Sequence, residues 1–329
     1  MNQNETRLRE SLAKIAEIAS GAGKGDEVTN GHQSVKPSGE SGSSERPSCM
    51  LKTLPDRLLL KAADTAVKIN PVNAPAFGEW AAIGVQMEVM DPQRMAVLTS
   101  KYWGPTPRRL TVSFMESTPS DLQSRIISNM NAWTKTGCIS FVGTSGTGDV
   151  RISRGSGGYY SYLGTDILHI PPNRQTMNLE AFTMNTPESE YRRVVRHETG
   201  HTLGAPHEHM RQALVARIDP AKAYEYFLRT QGWSKATVDA QVLTALDELS
   251  LMSTPPDQTS IMCYQLPASI TRDGLPILGG TDINQTDYAF IGKIYPKSGD
   301  GPRGGLEGQE DWPESEDVAV GSYSYQGVG

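Results

Sequence analysis

Apolar residues recur at helical spacing in Leu8, Leu12, Ile15 and Ile18 and then become sparse up to residue 48. Residues 20–48 are almost all Gly, Ser, Glu, Lys and Pro. Such a stretch buries too little to order itself, so residues 1–49 are expected to be largely disordered. Gly21–Gly25 looks like part of a phosphate loop but lacks the full spacing and a preceding strand, and reads as linker. The periodic pattern resumes from Pro55 to Ile69, with Leu58, Leu59, Ala62, Ala63, Ala66 and Ile69 along one broad face. Residues 50–99 therefore read as a helical N-terminal extension packing on a larger domain.

From residue 100 the period alternates between two and three to four. Leu110–Phe114 reads as a strand. A helix follows from Ser120 or Asp121 to about Thr136, with Leu122, Ile126, Ile127, Met130 and Trp133 inward. Ile139–Val142, Val150–Ser153, Tyr159–Leu163, Ile167–Ile170 and Thr176–Leu179 read as further strands. Helical pattern returns over 188–203, 219–229, 234–250 and 282–294. The Gly-rich, acidic residues 297–329 read as a disordered tail. The periodic body is thus residues 100–296.

One stretch breaks from this pattern. Four of the six histidines lie in residues 196–209, in the spacing H-E-x-x-H-x-x-G-x-x-H. His197 and His201 fall one helical turn apart, on one face, close enough to hold one ion. Glu198 is rotated by roughly 100° and need not be a ligand. It can take the proton of a metal-bound water. Gly204 allows the helix to end in the left-handed region, and Pro206 discourages more helix. The chain can then return with His207 as third ligand. Three protein ligands and a water make a catalytic zinc site, with one ion. His209 reads as a support or surface group, and His169, in an alternating run, as structural.

Composition narrows the context. The chain has 329 residues, net charge −6 and 21% charged residues, which gives no basic stripe for nucleic acid. No run of 18 apolar residues is present, so no membrane span is expected. The three cysteines, Cys49, Cys138 and Cys263, are odd in number and scattered, which argues no disulfide framework. The N-terminus shows no secretory h-region; the expectation is a cytoplasmic protein or one exported by a signal-independent route. A monomer acting on protein or peptide substrates is expected.

The histidine motif followed by Ser260-Ile261-Met262-Cys263-Tyr264 resembles the metzincin zinc endopeptidases, and Glu208 after the third histidine makes the chain similar to their astacin-like branch. Tyr160-Ser-Tyr-Leu-Gly164 is similar to a stretch those enzymes carry ahead of the active-site helix. The resemblance covers about residues 100–296. It implies an α+β, two-subdomain fold: a twisted mixed sheet with a long helix and the active-site helix, above a mostly helical or irregular lower half. It implies zinc on His197, His201 and His207, Glu198 as base and then acid, and Met262 as a hydrophobic floor. Tyr264 would be a fifth ligand or an oxyanion donor. An edge strand around 159–170 would hold substrate extended. Lining for specificity is expected from residues 208–262.

Two departures stand out. Cys263 replaces the usual His before the tyrosine, and the usual two disulfides cannot form from three scattered cysteines. Some metzincins are silenced by a propeptide Cys, others by an acidic residue. Cys49 and Phe77-Gly78-Glu79 are the candidates here, and a structural role is expected for both. The expected function is zinc-dependent endopeptidase; the alternative is a catalytically weak zinc protein that binds a partner. Glu198 discriminates, because a binding-only site has no use for that carboxylate.

Overall fold

A computed structural model describes residues 49–74, 100–246 and 255–297. The helix expected near residues 8–18, the polar stretch 20–48, the segment 75–99 with Phe77-Gly78-Glu79, and the tail 298–329 lie outside the described residues. The strands are β1 (Cys49–Lys52), β2 (Arg108–Phe114), β3 (Ile139–Gly143), β4 (Val150–Ser153), β5 (Tyr159–Tyr162) and β6 (Met177–Leu179). The longer helices are α1 (Asp56–Ile69), α2 (Ser120–Met130), α3 (residues 188–202), α4 (Pro220–Gln231) and α5 (Gln285–Ile294). The mixed six-stranded sheet has the order β1-β5-β6-β4-β2-β3. β3, β2, β4 and β6 are mutually parallel; β5 runs against β6, and β1 runs parallel to β5.

The α+β fold has two cores. In the upper one, α2 turns Leu122, Ile126 and Met130 against Leu110 and Val112 of β2, Ile152 of β4 and Val194 and Val195 of α3. β4 is buried at every position, as a strand covered on both faces must be. The lower core forms after His207, from Leu214, Ile218, Ala223, Phe227, Val238, Val242, Leu266, Ile270 and Ile277. Cys49 and Tyr264 belong to this lower core. In α1 the buried positions are Ala62, Ala63 and Ala66, small enough for the helix to lie close against the body. Leu54, Ala62 and Ile170 make a small separate cluster there.

Several expected elements come out differently. Ile167–Ile170 is not a strand: Gly164–His169 is a 3-10 helix. Gly164 has φ +46 and lies against the Lys101 carbonyl, where a Cβ would overlap it. Ile167 and Ile170 then face inward three residues apart, which mimics alternation. The helix begun at Ser120 stops at Met130 and continues only as 3-10 turns to Lys135. The cause is Asn131, whose amide accepts from the Phe141 N–H and donates to the Phe141 C=O, both at 2.9 Å. The helical run from 234 ends at Leu243, after a π-wound turn over Asp239–Leu243. The described chain also begins with a strand at Cys49 where the pattern pointed to disorder and helix. β1 covers β5, so the edge expected to receive substrate is already paired. No helix among the described residues is long and apolar enough to cross a membrane.

Candidate metal centre

The centre lies between the two cores. α3 is wound as α over Glu188–Glu190, as π over Tyr191–Val195, and as α again over Arg196–Thr202. Its far end is held by three aromatic donors. Trp133 Nε1 donates to the Arg196 carbonyl (2.9 Å), Trp103 Nε1 to Thr202 (2.8 Å) and Tyr295 Oη to Leu203 (2.5 Å). Gly204 adopts φ +99, and its neighbour Ala205 N–H closes onto the Gly200 carbonyl at 3.0 Å. The chain therefore reverses and brings His207 back beside His201.

Both helix histidines are oriented from behind. Nδ1–H of His197 donates to the Ile261 carbonyl (2.6 Å), and that of His201 to the Ala205 carbonyl (2.8 Å). This leaves each Nε2 as a lone pair turned into the centre, the arrangement that metal-binding histidines need. His197 Nε2 is buried without a partner. Burial pushes the His197 pKa down to about 4, and those of His201 and His207 well below their usual value. All three rings are neutral at physiological pH, the form that can bind a metal.

Cys49 completes the set. One donor atom from each of Cys49, His197, His201 and His207 lies within 4.8 Å of all the others. His201 Nε2 stands 3.0 Å from His207 Nε2 and 3.5 Å from Cys49 Sγ. Tetrahedral zinc with ordinary bond lengths separates two nitrogens by about 3.3 Å and a nitrogen from a sulfur by about 3.6 Å. The observed separations are close to both values, so the spacing and chemistry of the donor set fit zinc. Cys49, for which a structural or irrelevant role was expected, is delivered by β1 to the position where a fourth donor would stand.

Glu198 is 1% exposed; its carboxylate has the Cys49 thiol as neighbour and no other hydrogen-bond partner among the described residues. Burial pushes its pKa up to about 8; a bound dication would pull it down again. Tyr264 Oη is likewise buried and unpartnered. Its ring lies 4.3 Å from that of His207 and stacks on His209 at 4.3 Å and 13°. His209 is buried and is not in the donor set. Its Nε2–H donates to the Gln241 carbonyl at 2.9 Å. His169 sits far away, 3.0 Å from Thr65 Oγ1.

The Met262 turn runs beneath the centre. A Cβ added at Gly200 would land on Met262 Sδ, so only glycine lets the helix rest on that side chain. Met262 C=O accepts from Glu208 N–H at 2.9 Å, which ties the turn to the His207 segment. Asp287, at the start of α5, accepts from Ser260 Oγ (2.6 Å), Ile261 N–H (3.0 Å) and Asn284 N–H (3.0 Å). It thereby fixes the Ile261 carbonyl that orients His197. Sequence reasoning missed Asp287; its one signal was its place as the third residue of a helix capped by Asn284, a capping box.

A cleft of about 330 Å³ opens beside Glu198. Its walls include Tyr159, Arg193, Tyr226 and Gln231, but most come from residues 261–281, including Leu266, Pro276 and Leu278. The lining expected from 208–262 thus lies mainly beyond it.

Fold and donor set together place the chain among the zinc metallopeptidases, hydrolases of peptide bonds. The family follows from the sequence: the family model for the astacin peptidases matches residues 96–288, and the chain belongs to that family. A structure of myroilysin is similar at 30% identity and a TM-score of 0.56, covering 60% of this chain and 97% of that one. A second myroilysin structure gives 33% identity, 60% and 87% coverage, and a TM-score of 0.47. High choriolytic enzyme 1, a hatching enzyme zinc-protease of the medaka fish Oryzias latipes, is 21% identical over 56% of this chain and 86% of its own, with a TM-score of 0.38. No curated protein sequence matches the chain.

Proposed function

We propose that this chain is a zinc-dependent endopeptidase of protein substrates, with its own N-terminal strand lying across the active site. One observation carries the reading: Glu198, a buried carboxylate whose neighbour is the Cys49 thiol, adjoins three neutral histidines whose donor atoms converge with that sulfur. His197, His201 and His207 would hold a single zinc. When bound, zinc supplies Lewis acidity that makes water acidic near neutral pH and draws charge from a peptide carbonyl. Glu198 removes a proton from the attacking water and returns it to the leaving amine. The Tyr264 hydroxyl, with no other partner to satisfy, donates to the oxygen that gains negative charge. Met262 carries no proton; it supports the helix from below.

Cys49 makes this chain latent. Its sulfur would take the fourth position, which a catalytic zinc leaves to water. A four-donor set also suits a purely structural zinc, and Glu198 decides between the two, since nothing in a structural site uses it.

The test is digestion of casein and a peptide library by wild type, Glu198→Ala and wild type with o-phenanthroline. Cleavage by wild type that the variant and the chelator abolish is expected; no such cleavage under any activating condition overturns the reading. For latency, Cys49→Ala should raise the activity of the full chain by roughly tenfold or more, and unchanged activity removes the switch.

A further inference from the structure

We propose that Gln241 is a backbone clamp in the substrate channel, gripping one residue of any extended chain that lies along β5 by two hydrogen bonds. The inference rests on the peptidase reading above and adds a substrate-positioning residue to it. The observation is that the Gln241 side chain treats β1 as a neighbouring strand would. Its Oε1 accepts from Leu51 N–H at 2.9 Å, and its Nε2 donates to Leu51 C=O at 3.1 Å. On its other side β1 pairs with β5, with Leu51 opposite Ser161. The segment is therefore held from two sides, two residues away from the sulfur at the metal centre.

The grip reads no side chain. It uses only the N–H and C=O that every non-proline residue offers, which suits a channel that must take varied sequences. The fold makes the same two-point bond twice elsewhere. Asn131 holds both backbone groups of Phe141, at 2.9 Å each, and Asn73 holds both of Tyr102, at 2.9 and 2.7 Å. Those two pairs join parts of the body that stay together. Gln241 differs because its partner, β1, is paired along the edge of β5, where an extended substrate would pair in its place. When β1 leaves, both ends of the amide lose their partner at once, beside a row of unpaired β5 backbone groups. A peptide entering the channel restores both.

Gln241 is fixed from behind. Its own carbonyl accepts from His209 Nε2, and His209 stacks on Tyr264. The clamp is thus anchored to the same ring stack that sets the Tyr264 hydroxyl. It grips β1 two residues beyond Cys49, on the side toward which β1 runs, so on this proposal only substrates that extend that far on that side reach it.

The experiment uses the full chain carrying Cys49→Ala and quenched peptides that share one scissile bond. The flank on either side is lengthened from one residue to three. Dislodging β1 costs the same for every peptide, so the long-to-short ratio of kcat/KM isolates the clamp. Gln241→Leu should lower that ratio about tenfold for one flank only, through KM, as two lost hydrogen bonds predict. Gln241→Glu, which keeps the acceptor and loses the donor, should fall between. Gln241→Asn retains both groups but is one methylene short, and should resemble Gln241→Leu. Ratios equal to those of the parent on both flanks overturn the clamp. In the chain with Cys49 intact, exchange of the Leu51 amide should quicken about tenfold in Gln241→Leu. A Cys49→Ala chain that cuts no peptide tells against the peptidase reading; the Leu51 exchange still decides the clamp, and an unchanged rate overturns it.

Discussion

The two halves of this molecule meet at the candidate metal centre and are built in different ways. Above it, the sheet and helices α2 and α3 make one apolar core from regular elements, with backbone groups paired in ladders and helices. Below it, the described residues after His207 pack a second core through less regular chain, tied by side-chain hydrogen bonds as well as backbone ones. Asp287 carries three of them, and Arg217 reaches the Leu275 and Pro276 carbonyls as well as Asp273. The upper half keeps the shape of a platform. The lower half places particular atoms: the Ile261 carbonyl behind His197, the Tyr264 hydroxyl, the Gln241 amide. Regular structure supplies stability through burial, whereas irregular chain can put a chosen group at a point no helix or strand would reach.

Three substitutions separate those contributions, in order of their effect on folding. Ile126→Ala removes a fully buried side chain from the upper core, distant from the donors. It should cost about 4 kcal/mol in denaturant unfolding, while the protein that remains folded binds zinc with parental affinity. Weaker zinc binding would show that the platform itself tunes the site. Asp287→Ala strands three buried donors and should cost about 3 kcal/mol. Unlike Ile126→Ala, it should also weaken zinc binding about tenfold in a competitive chelator titration, because the Ile261 carbonyl loses its support. Tyr264→Phe removes a hydroxyl without a partner and should leave unfolding within about 0.5 kcal/mol of the parent. In the Cys49→Ala chain it should lower kcat more than it raises KM, by roughly tenfold or more. An effect confined to KM would remove Tyr264 from the transition state.

Legibility in the sequence divides along the same line. The strands β2, β3, β4 and β6 and the helices α1, α2 and α3 announced themselves by period, since each buries one face and the face recurs at a fixed spacing. Below the site α4 and α5 were legible in the same way, and the irregular chain between elements was not. The 3-10 turn at Gly164–His169 passed for a strand because Ile167 and Ile170 are buried three residues apart. Gln241 and Asp287 carry no local signal of what they hold, for their partners are 190 and 26 residues away. Cys49 sat in a polar stretch with little apolar pattern, and nothing in its neighbours revealed that it pairs across the sheet with Tyr159.

The sequence by itself determined the chemistry of the centre. His197, Glu198, His201, Gly204 and His207 are within eleven residues, and helical geometry with one glycine turn relates them. Tertiary structure decided the state of that centre. It brought Cys49 to within 3.5 Å of His201 Nε2, laid β1 along β5, and set Gln241 against Leu51. The reason is physical: a helix fixes neighbours four residues apart through its own hydrogen bonds, but contacts across 152 or 190 residues exist only once the chain has paid the entropy of closing on itself.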